Sequence, residues 1–294
     1  QGKEHLPVVV KGPWKKLQLE QGIDLDISRS SQPLSSWLLA SSALPCKVQL
    51  NLIGKGVSNR HSKLTANMVR ISGSANQLES TQCSLSPWIP QSKDTYTVPG
   101  DASMASFAML AASCLDTKIE LSGWPQEDQA IGHEILFKSS IECGVKWFGG
   151  ILERIEAPHP VELNVIDSND ILPPLAALLS LGPGGRIIGA PHAAHKESNR
   201  LSRTVELLQF FGLRASLLDD GIEVEGGQTP TAPTHPVPTF GDHRIFMTAV
   251  LLASKTGGDV IGQTLHHVAD ETFLQRLEDA GVGIEKATSP VVVD

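Results

Sequence analysis

The chain has 294 residues, enough for one large or two ordinary domains, and its 40% hydrophobic and 19% charged content is that of an ordinary soluble globular protein. The net charge of −8 argues against a nucleic-acid partner, which needs a basic face, but leaves small anionic ligands open because a pocket's local field can oppose the total. No apolar run reaches the ~18 residues of a membrane span, so no membrane partner is expected; Cys46, Cys83, Cys114 and Cys143 form no CxxC pair, and reduced thiols in a cytoplasmic protein are expected in place of a zinc or redox site.

The first residue is Gln1 and no signal peptide is visible, so the chain is expected to begin inside a longer gene product. Ile23–Ile27 reads as a strand and Leu34–Leu44 as a helix. Leu64–Ile71 reads as the end of a second helix. The stretch Ser84–Asp94, with Pro87 and Pro90, reads as a boundary loop before a strand at Thr95–Val98. Ala102–Cys114 is an apolar helix, and Ser139–Gly144 leads into a strand at Val145–Phe148. A second apolar helix, Ile171–Leu181, is followed by Gly182-Pro183-Gly184-Gly185. Val205–Gly212 leads into a strand at Leu213–Leu218. Gly226–Gly241 holds four prolines and reads as a loop. Asp242–Ala253 is a third apolar helix, and Phe273–Gly281 leads into a strand at Val282–Glu285.

This order contains a repeat. Gly144, Gly212 and Gly281 each follow an amphipathic helix and precede a strand, at spacings of 68 and 69 residues. A Gly just past a helix is the usual C-terminal cap, since it takes the left-handed conformation without a Cβ clash. Leu64–Ile71 is a weaker copy, with Val69 in the Gly place. Units near 70 residues are too long for a solenoid and fit a compact set of strands with two helices. The first helix of each unit is apolar nearly all round, which places it centrally; the second is amphipathic and lies outside. The expected fold class is α/β (α+β), with buried helices surrounded by sheets.

Four polar constellations interrupt this scaffold. Ser30-Ser31-Gln32 precedes a helix, where free N–H groups can bind an anion, although plain N-capping is the simpler account. Asp170 precedes an apolar helix and reads equally as an N-cap. Lys196-Glu197-Ser198-Asn199-Arg200 sets two cations around an acid at a helix start, as a solvated helix terminus also would. Gly241-Asp242-His243-Arg244 opens an apolar helix, where a buried Arg wants an anionic partner. Gly182-Pro183-Gly184-Gly185 lacks the Gly-Lys-Ser/Thr ending of a phosphate loop and reads as a turn. His192 with His195, and His266 with His267, lack a third ligand at metal spacing, so neither a metal nor a cofactor is expected. No Gly-x-Ser-x-Gly elbow supports a serine hydrolase.

Together these constellations resemble those of the enolpyruvyl transferases that make 5-enolpyruvylshikimate 3-phosphate (the EPSP synthase, or 3-phosphoshikimate 1-carboxyvinyltransferase, family). The family's Ser-Ser-Gln stands at Ser30-Ser31-Gln32, and its Gly-Asp-Ala-Ser at Gly100-Asp101-Ala102-Ser103. Its Gln-x-Asp stands at Gln126 and Asp128. Its Lys-Glu-Ser/Thr-Asp-Arg-Leu stands at Lys196-Glu197-Ser198-Asn199-Arg200-Leu201, and its Asp-His-Arg at Asp242-His243-Arg244. One such match is weak; five in family order over the whole chain are specific.

The resemblance implies two domains, with 1–98 the end of one and 99–294 the other, made of three repeat units. It implies that a first stretch carrying a Lys-Ser pair and two Arg residues is absent here, and that this N-terminal segment of the same protein is a partner of the chain. It also implies roles. Ser30, Ser31, Gln32 and Ser58 would hold shikimate 3-phosphate, with Asp170, His192 and Lys196 at its ring. Gln32, Arg200 and Arg244 would hold phosphoenolpyruvate. Asp170 and Glu197 would be the catalytic base and proton carrier, with Lys196 beside them. Arg forks suit carboxylate and phosphate, and a tetrahedral ketal needs positioned acids and bases.

The chain departs from the family pattern in four places. Asn199 replaces Asp, His192 replaces Asn, and His61 stands where an aromatic follows the phosphate Ser. Glu271 replaces the Lys expected before Thr272-Phe273. The alternatives are a non-catalytic homologue that binds a phosphorylated ligand or a partner chain, and an enolpyruvyl transferase acting on a nucleotide sugar; the Lys-Glu-Ser-x-Arg run speaks against the latter.

Overall fold

A computed structural model describes residues 11–13, 15–92, 95–122, 133–262 and 264–287. The chain divides into two compact units, Gln1–Tyr96 and Thr97–Asp294. In the first unit a short helix α1 (Lys16–Glu20) precedes β1 (Ile23–Asp26), α2 (Gln32–Ala40), β2 (Val48–Ile53), α3 (Asn59–Ile71), β3 (Gln77–Leu78) and β4 (Gln82–Leu85). The sheet order is β1-β2-β4-β3. The pair β1 and β2 is parallel, with Asp26 opposite Ile53, and the other pairings are antiparallel. Residues alternate across the sheet: Cys83 and Leu85 of β4 are buried and Gln82 and Ser84 exposed, so one face packs against α2 and α3 through Leu34, Leu38 and Val69.

The second unit repeats this plan. Its elements are α4 (Ala105–Leu115), β5 (Ile119–Glu120), α5 (Glu134–Lys138), β6 (Val145–Phe148) and β7 (Ile151–Arg154). They continue with β8 (Val161–Asn164), α6 (Leu172–Leu181), β9 (Gly185–Ile188), α7 (Arg200–Phe210), β10 (Ala215–Leu217), β11 (Ile222–Val224), α8 (His243–Thr256) and α9 (Phe273–Asp279). The sheet β8-β9-β11-β10 has the same topology as the first unit's sheet: a parallel pair bridged by an apolar helix, then two antiparallel strands. A third sheet, β5-β7-β6, is the same plan without its leading strand. A parallel bridge from Val237 to Val260, on either side of α8, is a reduced copy of the parallel pair.

The apolar helices α4, α6 and α8 pack on one another as the core of the second unit. Every residue of α6 is buried. Its Pro173 and Pro174 cost little, because N–H groups in the first turn have no intrahelical acceptor. Outside them α7 is amphipathic, burying Leu201, Val205, Leu207 and Leu208.

The glycine periodicity has one geometric cause. At Gly144 the glycine N–H donates to Ile141 O at 3.0 Å and the next N–H, of Val145, to Ser140 O at 2.9 Å. Gly212 and Gly281 close α7 and α9 with the same pair of bonds, and all three have positive φ. The first unit has its own copy, at Gly73 and not at Val69. Gly73 has φ +104°, and Ser74 N–H donates to Val69 O at 3.0 Å. Val69 is an acceptor inside the helix; the helix runs two residues past it, to Ile71.

Other expectations are corrected. Thr95–Val98 and Val282–Glu285 are not strands. The loop expected from Ser84 starts after β4, at Ser86. Gly182-Pro183-Gly184-Gly185 is the turn from α6 into β9, and its glycines serve close approach: a Cβ on Gly185 would overlap the Val161 carbonyl, and one on Gly184 the Gly226 backbone.

Candidate active site

The repeat sets where polar side chains converge in the second unit. Each apolar helix begins after the first strand position of its copy, and the three starts carry Asp101-Ala102-Ser103, Asn169-Asp170 and Asp242-His243-Arg244. Two use the same cap. The Asp101 carboxylate accepts from Ser103 N at 2.8 Å, and the Asp242 carboxylate from Arg244 N at 2.9 Å. Asp170 does not cap; it sits in a 3-10 turn, Asn169–Ile171, and its carboxylate turns to cations. The fourth contributor is the start of α7, where the Asn199 side chain accepts from Ser202 N at 3.3 Å. Asn199 is therefore the N-cap of α7.

Arg200, the first residue of α7, is the centre of the cluster and is 1% exposed. Its Nε donates to Asp242 Oδ2 at 2.8 Å, one terminal nitrogen donates to Asp170 Oδ1 at 2.5 Å, and the other to Glu197 Oε2 at 2.5 Å. Ser198 Oγ donates to the same Asp242 oxygen at 3.0 Å. Arg244 donates to Ser103 Oγ at 3.1 Å, and its Nε lies 3.7 Å from Asp170 Oδ1 without a hydrogen-bond partner among the described residues. Lys196 Nζ stands 3.7 Å from the same Asp170 oxygen, and His243 Nδ1 stands 3.9 Å from Glu197 Oε1. Three cations thus face three carboxylates.

The electrostatics follow from burial and these neighbours. Burial favours a neutral Asp170, but Arg244, Lys196 and Arg200 outweigh it and hold this carboxyl far below the usual range. Burial also opposes the charges of Asp242 and Arg200, and their mutual attraction wins: Asp242 is pushed down and Arg200 up. His192, buried after β9, is pushed down to about 4, by burial first and then by Lys196. Its Nε2 meets Asn169 Nδ2 at 2.7 Å, a contact in which the neutral ring accepts and an imidazolium would not.

Of the residues expected in a site, the structure brings Asp170, Lys196, Glu197, Arg200 and Arg244 into one cluster, with His192 linked through Asn169 next to Asp170. In the first unit, Ser30 and Ser31 follow β1 and Gln32 opens α2, while Ser58 follows β2 and precedes α3 with a left-handed φ of +50°. Both loops leave the carboxyl ends of adjacent parallel strands, where α/β sheets bind ligands. They are joined by Val57 N–H donating to Ile27 O at 3.4 Å. Ser30 Oγ accepts from Gln32 N at 3.1 Å, so part of the N-cap account holds. Gln126 and Asp128 lie outside the described residues. Glu271 is exposed and makes no hydrogen bond or ion pair among the described residues.

The sequence reading gave no role to Asp242, Ser103, Asn169 or Ser198. An acid beside an arginine at the start of an apolar helix was the available signal for Asp242, because a buried carboxylate must be paired.

Comparison with known proteins adds the following. The family model described as EPSP synthase (3-phosphoshikimate 1-carboxyvinyltransferase) matches residues 1–277. The 3-phosphoshikimate 1-carboxyvinyltransferase of Thermococcus kodakarensis is 31% identical over 268 residues, covering 88% of this chain and 62% of the relative. That of Korarchaeum cryptofilum is 30% identical over 285 residues, covering 95% of this chain and 65% of the relative. The chain therefore spans less than two thirds of the length of either. Among solved structures, EPSP synthase from Acinetobacter baumannii is similar in fold, with TM-score 0.67, 21% identity, and coverage of 90% of this chain and 63% of that one. The enolpyruvyl transferase NikO from Streptomyces tendae is similar with TM-score 0.66, 18% identity, and coverage of 92% and 66%.

Proposed function

The chain belongs to the EPSP synthase family, and from that membership we propose that its protein transfers the enolpyruvyl group of phosphoenolpyruvate to the 5-hydroxyl of shikimate 3-phosphate, with release of phosphate. The observation that carries the proposal is the Asp170, Lys196, Glu197, Arg200 and Arg244 cluster, in which Asp170 meets Lys196, Arg200 and Arg244 of the Lys-Glu-Ser-x-Arg and Asp-His-Arg runs and Arg200 meets Glu197. In the first unit Ser30, Ser31, Gln32 and Ser58 bind shikimate 3-phosphate, and Gln32 also meets phosphoenolpyruvate. In the second, Asp170, His192 and Lys196 meet the ring hydroxyls, and Arg200 and Arg244 hold phosphoenolpyruvate. Residues 1–98 belong to one domain of this enzyme and 99–294 to the other, and the small anionic substrates are its partners.

The reaction joins the hydroxyl oxygen to the substituted enol carbon while the methylene carbon gains a proton. The tetrahedral ketal then loses a proton from the new methyl group, and the bond to the phosphate oxygen breaks. Glu197 carries the proton at the methylene: it is about half exposed and held by Arg200 at one oxygen. Asp170 is ionised and accepts from the attacking hydroxyl. Its three cations make it a weak base until substrate anions draw Arg244, Arg200 and Lys196 away from it. The cluster also explains a need for further cations: its three positive groups are already matched by three carboxylates, while both substrates are multiply charged anions. These cations come from the family's first stretch.

A phosphate-release assay with both substrates tests the proposal. The protein with that stretch is expected to turn over at roughly 10 s⁻¹, and this chain alone at less than a tenth of that. No phosphate release from the longer protein favours a homologue that only binds a phosphorylated ligand.

A further inference from the structure

The turn that delivers Asp242 and Arg244 is built on an unusual residue. Phe240 has φ +55°, and Gly241 after it has φ +71°. Two consecutive left-handed residues make a sharp turn, and a bulky aromatic in the first place is an outlier that persists only where neighbours hold it. On one side, Thr239 Oγ1 donates to Ile261 O at 2.6 Å. On the other, the Arg203 guanidinium lies 4.0 Å from the centre of the Phe240 ring. Arg203 sits one helical turn after Arg200 on α7 and is itself braced by Glu206 Oε2 at 2.5 Å. One face of α7 therefore grips this turn twice, Arg203 on the ring of Phe240 and Arg200 on the carboxylate of Asp242.

We propose that the Arg203–Phe240 contact is a positioning device for Arg244, holding the left-handed turn so that Asp242 meets Arg200 and Arg244 reaches Ser103. Neither residue touches the reacting groups. The inference rests on the reading of Arg244 as a phosphoenolpyruvate ligand and names what aims it. A relaxed turn moves the cap at Asp242, and with it the first residues of α8, while leaving Lys196 and Asp170, on other elements, in place. Loss of the contact therefore acts on one substrate and spares the other.

Steady-state kinetics of the longer, active protein reads this directly. Phe240→Leu, which keeps apolar bulk without a π face, and Arg203→Leu each raise KM for phosphoenolpyruvate about fivefold and leave KM for shikimate 3-phosphate unchanged. The double variant is no worse than either single, and Phe240→Tyr behaves as wild type. Arg203→Gln, which leaves the residues of the turn unchanged, gives the same rise if Phe240→Leu does not fold. Unchanged KM in both single variants, an equal rise for both substrates, or multiplied effects in the double variant overturns the inference. A crystal structure of the Arg203→Leu chain needs no substrate: the expected result is loss of the Arg244–Ser103 hydrogen bond, and an unmoved turn overturns the inference. Absence of turnover in the wild-type protein counts against the enzymatic reading alone.

Discussion

Arg200 donates from Nε to Asp242 Oδ2 at 2.8 Å, and the two side chains are 1% and 0% exposed. They are separated by 42 residues of chain and are brought together by the packing of α7 against α8. The pair is held together by more than its own attraction, since Asp242 also caps α8 and accepts from Ser198. Removing one partner leaves an uncompensated buried charge, which costs far more than the intact pair contributes.

Asp242→Ala is accordingly expected to destabilise the protein by about 3–5 kcal/mol. Replacing both partners, Arg200→Met with Asp242→Leu, is expected to recover much of that loss. Urea denaturation of the three variants checks it. A cost below about 1 kcal/mol for Asp242→Ala contradicts the burial account.

His192 gives a pH dependence. Its folded pKa of about 4 lies below the unfolded 6.5, so the unfolded chain binds the extra proton between these values. Stability from the neutral ring is complete above pH 6.5 and is lost as pH falls toward 4, on the order of 3 kcal/mol in all. His192→Asn should flatten this slope. Denaturation midpoints at pH 7 and 4.5 decide it; parallel curves for wild type and variant remove His192 as the cause. Asp170, also depressed, adds its own loss below the unfolded value of 3.8, outside this window.

Arg244→Ala is expected to weaken phosphoenolpyruvate binding at least tenfold, since a charge-assisted bond is worth about 1.5–3 kcal/mol. Cys143→Ala, which trims a buried thiol, should leave affinity unchanged. Calorimetric titration of both variants in the longer protein is the check. Equal affinities take Arg244 out of the site.

Glu271 carries the charge departure from the family. It is exposed and unpaired among the described residues, and it stands where the resemblance expects a lysine. Glu271→Lys changes the local charge by two units, worth about 1 kcal/mol at ~8 Å in a water-like dielectric. The expected outcome is severalfold tighter phosphoenolpyruvate binding at low salt, fading as salt screens it. Affinity that does not move at any ionic strength places Glu271 outside the site.

The core helix α6 offers a plain stability test. Leu178 is 1% exposed in a helix with no solvated face. Leu178→Ala should cost about 2–5 kcal/mol by lost burial and a residual cavity. Thermal unfolding compared with Leu39→Ala, at an exposed position of α2, separates packing from helix propensity.

By itself the sequence determined the three apolar helices, the amphipathic α7 and α9, and their order. The apolar runs that became α4, α6 and α8 and the glycines closing α7, α9 and the turn before β6 are local signals, because a helix bonds within itself and its cap is set by a single φ. It also determined which residue types gather at helix starts, since Asp242, Asn199 and Asp101 cap by chemistry available within a few residues. Only the tertiary structure decided the rest. Val145–Phe148 is a strand because Ile151–Arg154 lies beside it, while Val282–Glu285, with Val and Ile at alternate positions, is not a strand; strand formation depends on a partner that composition does not reveal. The Arg200 cluster was decided in the same way: Asp170, Arg200 and Asp242 are tens of residues apart, and a buried charge specifies that it needs a partner without specifying which one. Packing of α4, α6, α7 and α8 made that choice.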